Sequence, residues 1–179
     1  VITRHIRALI QKDEHKSISV GGDFFIDGRD KVELLLARTI KKNGEVVVFD
    51  PKNVIISKPT MRGDTFISGS VFIFRLPEIE AGCIVEYKFQ KTTYKPGKKE
   101  FFFPSFQFQS GYPMLSCVCK IIVPEKKEFY YLLKNFPKNK VKPLLQIKDQ
   151  KKTYLWKFEN TPAIVAPISR PTSPIFLDM

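Results

Sequence analysis

Apolar residues recur at every second position in one short run after another, and a Pro or Gly interrupts before any run grows long. A period of two places alternate side chains on opposite faces of a strand. Sixteen Phe, six Tyr and many Val and Ile suit a pleated surface. Thirteen Pro and nine Gly supply the breaks. Strands are predicted at Val32–Arg38, Val54–Ser57, Ser70–Arg75, Ile84–Gln90, Phe101–Phe108, Leu115–Val123 and Thr153–Phe158. The last of these sets Tyr154, Trp156 and Phe158 on one side, so Trp156 reads as a core anchor. Ile40–Val48 reads as a hairpin in which Asn43-Gly44 supplies the two positive-φ positions of a type I′ turn. Phe129–Leu133 suggests one helical turn, stopped soon after by Pro137. No segment sustains a 3.6-residue period with a cap. The predicted fold class is all-β: an extended antiparallel β-sandwich with many short strands and little or no helix.

A length of 179 residues suits one domain, or one plus a tail. One β-sandwich domain is predicted over residues 1–161. Residues 162–179 hold Pro162, Pro167, Pro171 and Pro174 and read as an extended strap leading to a further domain outside this chain. The hydrophobic fraction of 43% supports a packed core rather than disorder. No apolar run reaches the roughly 18 residues needed to span a bilayer as a helix. The chain begins at Val1, carries no leader and alternates from its first residues, so it reads as a piece of a longer protein.

The formal net charge is +12, and lysine dominates it, 23 Lys against 7 Arg. The excess is uneven. Residues 1–90 carry 14 basic and 12 acidic groups, net +2; residues 91–179 carry 16 and 6, net +10. A Lys-rich solvated face accounts for this by itself. A binding module for anionic polymers (nucleic acid, a glycan or a membrane surface) acting through residues 91–179 is the functional alternative. Specific nucleic-acid recognition has little support. Lys98-Lys99-Glu100-Phe101-Phe102-Phe103 has a distant likeness to an RNA-recognition strand but lacks its Gly positions, and Arg, the better base reader, is scarce.

Catalytic signatures are weak. A thiol hydrolase or transferase needs a Cys nucleophile and a His base. His5 and His15 both precede Cys83, Cys117 and Cys119, so a Cys-then-His-then-Asp order cannot be built here. The three cysteines do not form a disulfide framework. Cys117 and Cys119 point the same way on a strand and read, with Cys83, as small buried apolar groups. Zinc needs about four ligands, and Cys117-Val118-Cys119 with two distant His is an unsuitable set. No phosphate loop is present, and Gly21-Gly22-Asp23 runs into strand-like Phe24-Phe25 rather than a helix. Asp23, Asp27 and Asp30 are the one carboxylate cluster that invites a hydrolase reading, and a solvated acidic turn is the simpler account. No cofactor is expected.

The order of signals resembles a family. Val32-Glu33-Leu34-Leu35-Leu36-Ala37-Arg38-Thr39-Ile40 leads into Lys42-Asn43-Gly44-Glu45-Val46, similar to a "strand, Ala-Arg, then Asp/Asn-Gly" hairpin. Leu76-Pro77-Glu78-Ile79-Glu80-Ala81-Gly82-Cys83-Ile84-Val85-Glu86-Tyr87 resembles "Leu-Pro-x-Leu-x-x-Gly-Asp-Ile-Ile-Glu-Tyr". Phe101–Phe108, Tyr112-Pro113 and Ile121-Ile122-Val123-Pro124 resemble the next two strands. Tyr154-Leu155-Trp156 with Asn160-Thr161-Pro162-Ala163-Ile164 resembles a closing "Tyr-x-Trp … Asn-x-Pro-Ala" strap. Together these are similar to the bacterial domain of unknown function, number three-eight-five-seven, found N-terminal to transglutaminase-like domains. Cys83 departs from the family's usual Asp, and Pro167 stands where the strap often carries Glu.

The resemblance implies a non-catalytic accessory β-sandwich that positions substrate, a partner or a transglutaminase-like catalytic domain C-terminal to it in the same parent chain. It implies a periplasmic or extracellular setting, with the catalytic triad beyond Met179. The positions it singles out, Asn43, Gly44, Gly82, Glu86, Tyr87, Pro124, Trp156 and Pro162, are structural: turns, packing and strap geometry.

Overall fold

Strand alternation decides nearly every placement in the first half of the chain. The structure is a computed structural model. It describes residues 1–58, 69–95, 105–134 and 141–164, and the backbone of 176–178. Residues Val1–Lys99 and Glu100–Met179 form two compact units.

In the first unit, β1 (Ile2–Leu9), β2 (Val20–Phe25), β3 (Asp30–Ile40), β4 (Val46–Val48), β5 (Ile55–Ser57), β6 (Ser70–Arg75) and β7 (Ile84–Thr93) make two antiparallel sheets. Their orders are β1-β7-β3-β4 and β2-β6-β5. Short 3₁₀ turns occupy Asp13–Ser19 and Pro51–Asn53. Val85, Tyr87 and Phe89 of β7 meet Phe72 and Phe74 of β6, with Ala37, Phe49, Leu76 and Cys83, in one core between the sheets. Phe74 sits edge-on to Tyr87 at 5.3 Å, an arrangement that aromatic quadrupoles favour. Gly21 makes room for that ring, because a Cβ there would lie 2.1 Å from Phe74 Cζ. The β3–β7 pairing slips by one residue at Leu35, a bulge that leaves Leu35 exposed.

The second unit contains β8 (Ser105–Gln107), β9 (Met114–Pro124), β10 (Leu132–Lys134), β11 (Leu144–Lys148), β12 (Lys151–Thr161) and β13 (Phe176–Asp178). The sheets are β10-β13-β8 and β11-β12-β9. Trp156, only 1% exposed, anchors their core with Phe108, Cys119 and Ile121. Tyr131 stands edge-on to Trp156 at 5.0 Å.

The all-β class therefore holds, and most predicted strands appear within a few residues of their expected bounds. The sequence suggests one sandwich over 1–161, and within the chain the contacts form two compact units that meet in sequence near Lys99. Alternation continues on both sides of that point, so composition does not mark it. Other expectations change. The predicted strap ends in a strand, since Phe176–Asp178 pairs with both β8 and β10. Pro167, Pro171 and Pro174 lie outside the described residues, as do Phe101–Phe103. The helical turn expected at Phe129–Leu133 is extended chain leading into β10. Phe129 packs on Tyr154 and Tyr131 on Trp156, a period of two that a helix cannot present.

The Asn43-Gly44 hairpin is also not type I′. Gly44 has φ +86°, but Asn43 is not in the left-handed region. Gly44 N–H donates to Lys41 O, and Glu45 N–H donates to Asn43 Oδ1. Lys41 N–H donates to Glu45 O at 2.8 Å, so the three-residue loop Lys42–Gly44 is a type I turn followed by a left-handed Gly, the usual solution at this length. Two adjacent left-handed residues occur instead at Asp149 and Gln150, the tip of the β11–β12 hairpin.

Candidate functional site

The four-stranded sheet of the first unit has a core side and an outer side. On β7, Val85, Tyr87 and Phe89 enter the core, so Glu86 and Lys88 face outward. The register sets Arg7 of β1 and Arg38 of β3 directly on either side of Glu86. Although it faces outward, Glu86 is only 5% exposed, because its cross-strand neighbours cover it. Arg38 donates to Glu86 Oε2 from Nε at 2.8 Å and from a terminal nitrogen at 2.6 Å. His5 Nε2 lies 3.1 Å from the other oxygen, Oε1. The Arg38 hydrogen bonds hold the Glu86 carboxyl below its ordinary range against the opposing effect of burial, helped by His5 and by the charges of Arg38 and Arg7. Glu86 is thus a fixed anion with both oxygens occupied. That suits a rigid polar face and does not suit a general acid or a nucleophile.

This cluster joins two of the segments singled out from sequence, the Ala37-Arg38 strand and the Glu86-Tyr87 strand. The same segments are tied again through buried Thr39, whose hydroxyl donates to Pro77 O at 2.7 Å. Gly82, at φ +91°, turns the chain from Leu76-Pro77 into β7, and its N–H donates to Ile10 O at 2.6 Å. Pro124 closes β9 opposite Lys151. Pro162 O accepts from Gln109 Nε2 at 2.9 Å, just past β12. The eight positions are divided between the units. Asn43, Gly44, Gly82, Glu86 and Tyr87 serve the first unit; Pro124, Trp156 and Pro162 serve the second. His5 carried no signal in the sequence. Its place beside Glu86 follows from strand register alone.

The aspartates form no solvated turn. Asp30 accepts from Thr93 Oγ1, from Ile26 N–H and from Arg29. Burial pushes its carboxyl up, and those hydrogen bonds, with the Arg29 charge, together hold it below its ordinary range. Asp27 accepts from Ser70 Oγ at 2.9 Å. Asp23 faces Lys91 Nζ at 3.1 Å across the two sheets, an ionic contact rather than an aligned hydrogen bond. All three carboxylates brace the fold.

The thiols are free and largely buried. Cys83 is fully enclosed in the first core. Burial raises the Cys117 thiol and, with Cys117 nearby, pushes Cys119 up to about 12. Neither histidine belongs to the unit that holds Cys117 and Cys119. Among the described residues, no group of three or more His, Cys, Asp or Glu is placed to hold a metal ion.

Some of the described lysines of residues 91–179 have acidic partners, and others lie together. Lys91 meets Asp23, and Lys157 pairs with Glu159 at 2.6 Å. Lys126, Lys127, Lys148, Lys151 and Lys152 gather at one end of the second unit. There the turn after Pro124 is tied to the β11–β12 hairpin by Glu125 N–H donating to Gln150 O.

A family model, Domain of Unknown Function with solved-structure structure (DUF3857), matches residues 23–165. The chain belongs to the DUF3857 family. It is also similar in structure to a crystal structure from Parabacteroides distasonis ATCC 8503 described as a "putative protease", with a TM-score of 0.80 at 17% identity. The match covers 98% of this chain and 35% of that one, so the DUF3857 chain spans about a third of its neighbour's length. At that identity the likeness is one of fold. No curated protein matches.

Proposed function

We propose that this DUF3857 chain is a non-catalytic accessory module of an exported parent protein, N-terminal to a transglutaminase-like thiol domain. Its role is to position substrate, a partner or that catalytic domain. The observation that carries the reading is the state of the thiols. Cys119 is pushed up to about 12, Cys83 is enclosed, and the ring of His5 is engaged by Glu86. A thiol mechanism needs an accessible thiolate beside a free base. The neighbour called a protease is about three times as long as the matched region, which leaves its chemistry ample room outside that region. The Arg38–Glu86–His5 cluster gives the module a rigid polar face of the kind a docked domain can read.

The test is to read the parent coding sequence on both sides and to assay peptidase and transamidase activity of the isolated chain beside the parent protein. A downstream Cys…His…Asp series, an export leader and an inactive isolated chain are expected. Turnover by the isolated chain that survives loss of Cys83, Cys117 and Cys119 together overturns the reading.

A further inference from the structure

Strand β11 lies at the edge of the sheet β11-β12-β9. All five of its residues are exposed, Leu144 at 68%, Leu145 at 52% and Ile147 at 53%. The register puts Leu145 opposite Tyr154 and Ile147 opposite Lys152. Leu145 and Ile147 therefore stand on the side of the sheet that carries Trp156, where a strand of a two-sheet unit ordinarily buries its apolar residues. Among the described residues nothing covers them, and each is more than half exposed. Natural edges are blunted by bulges, prolines or inward charges. The β11 ladder runs without a register shift from Leu144 to Lys148, and Pro143 lies just outside it.

The surroundings say what kind of strand fits. Lys142 and Lys148 flank the edge, and Lys151, Lys152, Lys126 and Lys127 cluster at its far end. No carboxylate occurs between Val141 and Lys148; the acids nearby are Asp149, Glu125 and Glu128. A second copy pairing through β11 would set two lysine-flanked, carboxylate-free strands side by side, which like charge opposes.

We propose that β11 is a docking edge for an extended acidic segment of a partner polypeptide. The segment adds as a further strand beyond β11. Its backbone takes the free N–H and C=O groups of residues 144–148. Its apolar residues cover Leu145 and Ile147, and its carboxylates lie against the lysines. Unlike the proposed accessory role, this surface does not depend on whether the chain or its parent is catalytic.

The test titrates the full chain with a synthetic peptide of alternating valine and glutamate, followed by fluorescence polarisation and amide hydrogen exchange. Saturable binding that weakens with added salt, with slowed exchange at residues 144–148, is expected. The same peptide N-methylated at alternate residues keeps its side chains and loses the ladder; its affinity is expected to fall at least about tenfold. Lys148→Glu with Lys151→Glu changes only exposed hairpin positions, and a loss of similar size is expected. Three outcomes overturn the proposal. Polyglutamate or heparin binds equally well with exchange at 144–148 unchanged, which makes the lysines a plain polyanion patch. The chain self-associates through 144–148, which makes a second copy the occupant. The peptide fails to bind at low salt.

Discussion

Arg38 directs two donors at one oxygen of Glu86, and His5 takes the other oxygen from the neighbouring strand. Three strands, β1, β7 and β3, are cross-braced at one point on the outer side of a sheet whose inner side is aromatic. The two partners are not equivalent, because Glu86 is buried and Arg38 reaches solvent.

Removing the cation therefore costs more than removing the anion. Arg38→Ala leaves a buried carboxylate without its main partner, and a loss of about 3 kcal/mol is expected. Glu86→Gln keeps the shape and one acceptor, and about 1 kcal/mol is expected. Urea denaturation followed by circular dichroism checks the order. An Arg38→Ala chain as stable as the native one contradicts it.

Acid should act through the same group. The ordinary Glu86 value is 4.5 and that of Asp30 is 3.8, and both are lowered in the fold. A carboxyl lowered by folding contributes stability above its unfolded value, and the contribution is lost as pH falls through the folded one. The urea midpoint should be flat near neutrality and drop once pH falls below about 4.5. Glu86→Gln should flatten part of that drop.

The thiols give an alkaline counterpart. Cys119 titrates at about 12 in the fold against an ordinary 9.0, so its contribution is present below pH 9 and lost as pH rises towards 12. At pH 8 a thiol reagent should leave Cys83 and Cys119 untouched in the native chain and react slowly at Cys117, which is part-exposed. All three should react in urea. Rapid native reaction at Cys119 speaks against the proposed absence of thiol chemistry.

Three glycines should respond differently to alanine. At Gly44 a Cβ meets open space, so only the positive φ is strained, about 1 kcal/mol. At Gly82 the φ strain is joined by the Lys42 side chain 1.9 Å away, whose flexible end can move aside. At Gly21 the obstacle is the buried Phe74 ring, which cannot move. Thermal melts should rank the losses Gly21→Ala, then Gly82→Ala, then Gly44→Ala.

Strands whose inner residues are aromatic were legible in the sequence. Tyr154, Trp156 and Phe158 announce β12, and Phe72 and Phe74 announce β6, because alternation is a local property. Strand β11 was not legible. Leu144-Leu145-Gln146-Ile147-Lys148 shows no clean alternation, which suits a strand exposed on both sides. The grouping into two units near Lys99 has no mark in the sequence, because each unit repeats the same pattern. The Arg38–Glu86 contact lay within reach, since both residues sat in recognised segments; pairing them needed a register that depends on the Leu35 bulge. The turn at Asn43 misled because residue type suits several turns, and loop length chose among them.

The position of Trp156 has a practical consequence. It is the sole indole of the chain and lies wholly inside the Glu100–Met179 unit. Intrinsic emission excited at the red edge arises in that unit, since the tyrosines and phenylalanines of Val1–Lys99 emit no such signal. A melting curve recorded that way has its reporter in Glu100–Met179 alone, so the effects of changes at Arg38, Glu86 or Gly21 are better followed by circular dichroism, which sees the strands of both units.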